Sequence, residues 1–432
     1  MKNVFLYGVL LMAWSVQAQE LLTPEQVVEI ALKNNYDITI SREQADLAKN
    51  NYTLGNAGFL PSVNLNASGN TSTNNFKQNL STGVVTERTG VNSNNLSASA
   101  VMTWTVFDGF KMFATYDKLQ ALNELGELAL KVQIENTVSS VLLAYYDVVR
   151  LKQEKKANDN SIKLYNERVQ IADQKFKLGL TAKVDYLQAR VDLNALQSAS
   201  ITQQMTIENS KADLNVLLGR KTDIAFDVLD TIVVDPSISL EELKSGAEKQ
   251  NTLLKYNERN VLVTKKSIQE FNGSLYPRLS VNAGYNYSRT ASEAGLVALN
   301  RSNGPTVGFT ATWNLFNGRI LNSQIRNAHV QMDIAEVQLE QSKLILESQV
   351  FQSWNNTQLA FQILKLEEDN ILLAKENVTI AMERYKVGNG TSIELQQAQQ
   401  SFDTAQVRLV TARYNAITAE INLKRLRGEY VK

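Results

Sequence analysis

Cysteine and histidine, two residue types often used in catalysis and metal binding, are almost missing from this chain of 432 residues. Cysteine is absent, which excludes a thiolate nucleophile, a disulfide and a cysteine-ligated metal. The single histidine, His329, lies in a long helical pattern without the converging partners that a metal or acid–base site needs. The glycine-containing segment 388–390 follows no strand, so it does not fit a phosphate-binding loop. The sequence therefore predicts no enzyme, no cofactor and no metal.

Two acidic residues stand out by their position. Asp185 and Glu394 each follow a glycine turn and open a helical pattern. An acid in the first turn of a helix is favoured by the helix dipole by about 0.3–1 kcal/mol, so capping alone would account for either residue. A role in attracting cations requires several copies to converge, and this depends on the elements that position them.

The two acids belong to two copies of one segment. Phe176–Ala189 and Tyr385–Ala398 each reverse the chain between long helical patterns, and they lie 209 residues apart. The same spacing relates other pairs, namely Trp104 and Trp313, Tyr145 and Trp354, Leu214 and Leu423, and Gly219 and Gly428. Regular recurrence over so long a span predicts an internal duplication.

Long helices are predicted on both sides of each turn. Residues 111–177 contain no proline and one glycine, so a continuous helix of roughly 100 Å is expected. The second half repeats this pattern over about 320–387, and shorter helices return from the turns at Gly179 and Gly388. Apolar residues at three- and four-residue spacing form a narrow seam, which is typical of coiled-coil packing.

Two hairpins precede the long helices, over about 62–107 and 279–316. Apolar and polar residues alternate strictly in 62–70 and 96–107, whereas the polar segment 71–95 is predicted to be a long exposed loop. A strand of about ten residues is long enough to cross a bilayer at a tilt. Aromatic residues near the strand ends, such as Trp104 and Trp313, are typical of membrane barrels.

The chain is expected to be exported. Residues 1–18 have the pattern of a signal peptide, and no cysteine follows it, so no lipid anchor is expected. Four strands cannot close a barrel, and open edges in lipid would leave backbone groups unpaired, so two, three or four chains would have to share a barrel of 8, 12 or 16 strands. A formal net charge of zero gives no indication of a nucleic-acid partner.

Other interpretations account for less of the pattern. A soluble, half-buried sheet would need helices with broader apolar faces than these. An exported structural or adhesive coiled coil would explain the helices but leave the four strands without a role. An exported enzyme lacks a visible catalytic group.

The order of elements resembles the TolC-type outer-membrane efflux factor family. The motifs that carry the resemblance are Trp104–Gly109 and Trp313–Gly318 at the strand exits, Ala31–Tyr36, and the two turn segments. The resemblance implies a mainly α chain with a membrane β-barrel portion. It also implies a homotrimer with a 12-stranded barrel in the outer-membrane lipid of a Gram-negative bacterium, continuous with an α-helical barrel in the periplasm. Such a trimer is a passive exit duct that meets a periplasmic adaptor and, through it, an inner-membrane transporter of RND or ABC type.

The duplication and the resemblance together divide the chain into four parts. Residues 1–18 form the signal peptide, 19–220 the first repeat, 221–238 a linker in the equatorial region, and 239–432 the second repeat.

The resemblance also implies a functional site at the two turns. The turns form the periplasmic tips and the adaptor contact, through Leu178, Gly179, Leu180, Thr181, Val387, Gly388, Asn389 and Gly390. Glu394 and Gln397 match aperture positions, and Tyr385 and Asp185 match positions of links that hold the tip closed. Gly390 stands where some relatives carry a basic linking residue, so a differently latched tip is expected.

Overall fold

A computed structural model describes residues 20–234, 240–293 and 297–430. The predicted signal peptide lies outside these residues, as do Pro236 and Ser239 of the second repeat's expected start. In chain order the elements are β1 (Glu20–Leu22), α1 (Pro24–Asn34), α2 (Tyr36–Asn51), β2 (Ser62–Asn79), β3 (Val85–Phe107), α3 (Lys111–Lys177), α4 (Lys183–Leu217), β4 (Phe226–Val228), α5 (Leu240–Gln250), α6 (Thr252–Gly273), β5 (Arg278–Ser292), β6 (Leu299–Thr312), α7 (Ile320–Lys386) and α8 (Ser392–Leu426).

The chain packs as two compact units, each built from segments of both halves. The first contains the described parts of 1–40, 131–251 and 346–432, and the second contains 41–130 and 252–345. The helix turns lie in the first unit and the large sheet lies in the second. The predicted repeats are therefore units of the sequence, whereas each compact unit of the structure combines segments from both repeats.

The large sheet is antiparallel, with strand order β2-β3-β5-β6. Its register aligns one apolar row across all four strands, through Val63, Met102, Ala283 and Val307. Neighbouring residues in each strand point to the opposite face, which is polar. The predicted alternation is thus confirmed in register, and one face of the sheet is mostly apolar on both sides of this row.

The prediction of a loop over 71–95 is wrong. Strands β2 and β3 continue through this segment and turn only at residues 80–84. Polar side chains pair across the extension: the Thr73 hydroxyl donates to Asn92 Oδ1 at 2.8 Å, and Lys77 Nζ lies 3.2 Å from Glu87 Oε2. Backbone hydrogen bonds hold an antiparallel ladder without requiring an apolar face, so a ribbon that is polar on both sides gives no periodic signal. At the other hairpin, Trp313 follows the last residue of β6.

The long helices confirm the duplication. Helices α3 and α7 have 67 residues each, and α4 and α8 have 35 each. The first and last residues of α3 and α4 recur 209 positions later as those of α7 and α8, beginning with Lys111 and Ile320. Among the described residues, no helix combines the length and the apolar character that a membrane span requires.

A small core organises the end of the first unit where the shorter helices finish. Strands β1 and β4 pair in parallel there, and Leu22 and Phe226 are fully buried beside Leu214. Tyr145 donates its hydroxyl to the Leu22 carbonyl at 2.9 Å and accepts from the Leu229 amide at 3.1 Å. These strands were not predicted, because three residues are too few to show alternation.

Candidate functional site at the glycine turns

Each helix turn contains a glycine in the left-handed region. Gly179 has φ 74° and Gly388 has φ 84°. The next residue of each turn closes the helix end, since the Leu180 amide donates to the Lys175 carbonyl at 2.8 Å and the Asn389 amide donates to the Arg384 carbonyl at 2.9 Å. This hydrogen-bond pattern requires φ > 0 at the glycine, where a side chain would strain the backbone.

The residues around the turns are strongly exposed although many of them are apolar. The exposed apolar residues near the turns are Leu178, Leu180, Val184, Val387 and Ile393, each between 66% and 74% exposed. Thr181 is half-buried, and its hydroxyl has no hydrogen-bond partner among the described residues. Several exposed large apolar residues close together in the chain are consistent with a contact surface for another molecule.

Glu394 is held at the start of α8 by a capping box. Its amide donates to Thr391 Oγ1 at 3.1 Å, and its carboxylate accepts from the Thr391 amide at 3.2 Å. A guanidinium nitrogen of Arg384 lies 3.8 Å from the same carboxylate. Gln397 is exposed on the same face of α8, because residues three apart on a helix are neighbours. The acid at the predicted aperture position is therefore capped and partly neutralised within its own chain.

Tyr385 and Asp185 lie close enough to interact electrostatically. Tyr385 is 2% exposed and packs against Met382 and Leu395. Its hydroxyl makes no hydrogen bond within the described residues. Burial raises the pKa of Tyr385, and the negative charge of Asp185 raises it further. Lys175 lies over the tyrosine ring, with Nζ 4.1 Å from the ring centroid, and donates a hydrogen bond to the Tyr385 carbonyl.

The basic residue at the second turn is Arg384 rather than residue 390. A Cβ added to Gly390 would lie 3.2 Å from Arg384 Cβ and 3.2 Å from the Tyr385 amide nitrogen, tighter than ordinary packing allows. The Arg384 guanidinium donates instead to the Asn389 carbonyl at 3.1 Å. The absence of a side chain at position 390 thus leaves room for Arg384 to fold over the turn.

A buried guanidinium joins three helices near the turns. It was not predicted from the sequence. Arg168 of α3 is 1% exposed. It donates to Asp192 of α4 at 3.0 Å and to Gln399 of α8 at 3.3 Å, and its second terminal nitrogen lies 3.4 Å from Ser392 Oγ. An arginine within the apolar seam of a predicted helix is the signal that could have identified it.

A half-buried acid, Asp403, lies on α8 one turn after Gln399. Asp403 accepts hydrogen bonds from the hydroxyls of Ser161 and Tyr165 on α3, the second at 2.9 Å. Burial raises the pKa of the Asp403 carboxyl, and the two hydroxyl donors offset part of that rise. A polar seam between α3 and α8 therefore continues from Arg168 away from the turns.

The predicted barrel aromatics lie in the second unit, where the chain enters or leaves the sheet. Trp104 donates its indole N–H to the Phe59 carbonyl at 2.9 Å, and Trp313 donates to the Leu275 carbonyl at 3.0 Å. Both acceptors lie two residues before a proline that precedes a strand. Each tryptophan therefore fixes the entry loop of its own hairpin, a role that the sequence reading did not predict.

The chain matches a known protein family over most of its length. The model of the outer membrane efflux protein family matches residues 27–220 and 245–429, which cover both repeats. The outer membrane protein TolC of Escherichia coli K12 is 22% identical over 421 residues, covering 95% of this chain and 83% of TolC. The proteases secretion protein PrtF of Dickeya chrysanthemi is 21% identical over 426 residues, covering 96% and 89%.

Solved structures share the fold. The CmeC outer membrane channel of Campylobacter jejuni superposes with a TM-score of 0.79 at 18% identity, covering 94% of this chain and 85% of CmeC. The outer membrane protein VceC of Vibrio cholerae also has a TM-score of 0.79, at 16% identity, covering 94% and 96%. Since the family model matches most of the chain and both repeats, the chain belongs to the outer membrane efflux protein family.

Proposed function

We propose that this chain is one subunit of a passive trimeric exit duct in the outer membrane of a Gram-negative bacterium. The observation that carries the proposal is the sheet, which has one mostly apolar face where all four strands pair and two free edges, β2 and β6. In lipid, each unpaired backbone group costs several kcal/mol, so β6 of one copy must pair with β2 of the next. Three copies close a barrel of twelve strands, which is wide enough to leave a water-filled channel.

The long helices supply the second part of the duct. Three copies of α3, α4, α7 and α8 form a helical barrel in the periplasm, and the glycine turns lie at its far end. A duct performs no reaction, and the energy for transport comes from an inner-membrane transporter of RND or ABC type. Relatives named for efflux and for protease secretion support both small molecules and proteins as cargo of such ducts.

The glycine turns are the contact for a periplasmic adaptor. Exposed Leu178 and Leu180 at the first turn and Val387 at the second give apolar anchors for a partner. The two turns differ in polarity, since Thr181 of the first corresponds to Gly390 of the second. Two kinds of turn in three copies therefore present six related but unequal docking points.

The first turns of α4 and α8 form the gate. Glu394 and Gln397 line the aperture, and Asp185 and Tyr385 lie at the contact between the two helix pairs. Arg168 fixes this contact from behind, because it bonds to α4 and α8 at once. We assign to Arg168 the closing link that a basic residue at position 390 would otherwise supply.

Single-channel recording tests the proposal. The purified full chain should enter planar lipid bilayers as trimers and give a steady ohmic conductance that persists without nucleotide. Membrane fractionation gives the complementary result, with the chain in the outer-membrane fraction. An exported structural coiled coil would instead be found in the soluble periplasmic fraction and would leave the bilayer silent.

A further inference from the structure

A run of aromatic rings extends from the end of the sheet onto the helices of the second unit. Phe107 stacks edge-on against Phe110 at a centroid distance of 5.5 Å, and Phe110 lies 6.1 Å from Phe113. Phe113 contacts Phe59 edge-on at 5.0 Å. Tyr116 continues the run at 6.1 Å from Phe59. We call Phe107, Phe110, Phe113, Phe59 and Tyr116 the aromatic run.

The aromatic run is continuous with the apolar face of the sheet. A bulge at Val106 lets Phe107 pair with Leu279 instead of keeping its earlier alternation. Leu279 lies two residues before Val281, so both point to the apolar face, and a directly opposite residue points to the same face. Phe107 therefore begins the run on the face that contacts lipid in the closed barrel.

Two members of the aromatic run are strongly exposed, and the other three are half-buried. Phe110, which directly precedes α3, is 67% exposed, and Phe113, in the first turn of α3, is 54% exposed. The entry loops add Leu60 and Tyr276, each 59% exposed. The tryptophan hydrogen bonds at the Phe59 and Leu275 carbonyls hold these loops at the sheet end.

The backbone at Phe110 is strained. Its φ is 64°, a left-handed conformation that costs a non-glycine residue roughly 1–2 kcal/mol. Its counterpart 209 positions later is Arg319, which is exposed and has φ 65°. The duplication therefore places one aromatic and one cationic side chain at equivalent strained positions, a combination suited to the boundary between acyl chains and phosphate groups.

We propose that the lipid-facing surface of the duct continues past the strand ends onto the first turn of α3 and the entry loops. The partner is the interfacial layer of the periplasmic leaflet of the outer membrane, with the aromatic run, Leu60 and Tyr276 among acyl chains and Arg319 at the headgroup phosphates. This inference rests on the proposed function, because the leaflet is adjacent only if the sheet spans the membrane.

Lipid-quenching fluorescence tests the proposal on the full chain. The sequence has no cysteine, so single-cysteine variants carry one label each. The test positions are Phe110→Cys and Tyr276→Cys, each labelled with a small fluorophore in liposomes that contain lipids with a nitroxide near the headgroup. Val307→Cys, on the apolar face of β6, is the membrane control, and Val387→Cys, at the second turn, is the aqueous control. Each variant is used only if its far-UV circular dichroism spectrum and its assembly into trimers are identical to those of the unsubstituted chain.

We expect Phe110→Cys and Tyr276→Cys to be quenched at least about threefold more than Val387→Cys, as interfacial side chains are. Moving the nitroxide to the acyl-chain end should weaken their quenching more than that of Val307→Cys. Quenching at the Val387→Cys level, with Val307→Cys strongly quenched, would overturn this inference and leave the duct intact. Oxidative cross-linking of Phe110→Cys between copies would also overturn it, because a neighbouring subunit would cover the site. Absence of quenching at Val307→Cys would overturn the proposed function itself.

Discussion

Arg168 of α3 and Asp192 of α4 form an ion pair of 3.0 Å in which the guanidinium is 1% exposed. Breaking such a pair by removing one partner leaves an uncompensated buried charge. The same guanidinium reaches Gln399 of α8, so the pair joins the α3–α4 turn to the start of α8. One buried side chain therefore joins α3, α4 and α8 near the turns.

Replacement of this arginine should open and destabilise the helical end. We expect Arg168→Met to lower the free energy of unfolding by roughly 3–5 kcal/mol and to raise single-channel conductance. Lys177→Met is the matched control, since Lys177 pairs with Asp173 on the same helix but is 70% exposed, and such a pair contributes at most about 1 kcal/mol. Addition of Asp192→Leu should recover much of the lost stability. Equal conductance and stability in Arg168→Met and Lys177→Met would remove Arg168 from the gate.

Ion selectivity should depend on Arg384 as much as on Glu394. Their charges lie 3.8 Å apart, so we expect Arg384 to weaken the field of Glu394 at the proposed aperture. Arg384→Gln should raise the cation-to-anion permeability ratio by about twofold, and Glu394→Gln should lower it. Reversal potentials in asymmetric salt measure both, with Lys183→Gln at the other turn as control. No change in either variant would place the aperture elsewhere.

Asp403 should make stability depend on pH with an unusual sign. Its folded-state pKa is raised by burial, so the folded chain binds this proton more tightly than the unfolded chain does. The stabilisation is complete below the ordinary value of 3.8 and is lost as the pH rises through the raised pKa. Asp403→Asn should flatten this loss in denaturant titrations across the acidic range.

Asp159 is the counterpart with the opposite sign. The Lys155 ammonium and the Ser200 hydroxyl lower the pKa of its carboxyl, so its contribution disappears as the pH falls. Asp159→Asn should therefore reduce the loss of stability as the pH falls, whereas Asp403→Asn should reduce the loss of stability as the pH rises. The same direction in both variants would contradict the assignment of Asp403.

The turn glycines should not tolerate a side chain. Gly179→Ala and Gly388→Ala each force alanine into the left-handed region, which should cost roughly 1–2 kcal/mol in unfolding free energy. Gly246→Ala is the control, because Gly246 lies inside α5 with an ordinary φ, and alanine is favoured there by roughly 0.5–1 kcal/mol. Chemical denaturation of the three variants compares them directly. A stabilising effect at Gly179 or Gly388 would contradict the turn geometry.

The fold was predictable where the sequence carries a regular repeat. The long seam, the scarcity of proline and the spacing of 209 predicted α3 and α7 nearly to the residue, because helix length and duplication are properties of the sequence itself. The extension of β2 and β3 through 71–95 was not predictable in this way. Its side chains are polar on both faces, and backbone pairing alone holds it.

The two turns were predictable from the sequence, but the contacts around them were less so. The turn glycines and the acids after them marked the helical end. The capping of Glu394 is local and was predictable, and the approach of Arg384 depends on the conformation of its own turn. The buried bond of Arg168 to α8 depends on which helices become neighbours. Arg168 and Gln399 are 231 residues apart, and no local pattern brings them together.

Cross-linking between the free sheet edges tests the central claim most directly. One cysteine in β2, Leu65→Cys, is combined in turn with Phe309→Cys, Val307→Cys or Arg301→Cys in β6, and the assembled chain is oxidised in the membrane. The account predicts that at least one combination gives a covalent ladder of one, two and three chains that ends at three, because the third copy closes the ring. Monomers alone in every combination, or a ladder that continues past three, would contradict a trimeric shared barrel.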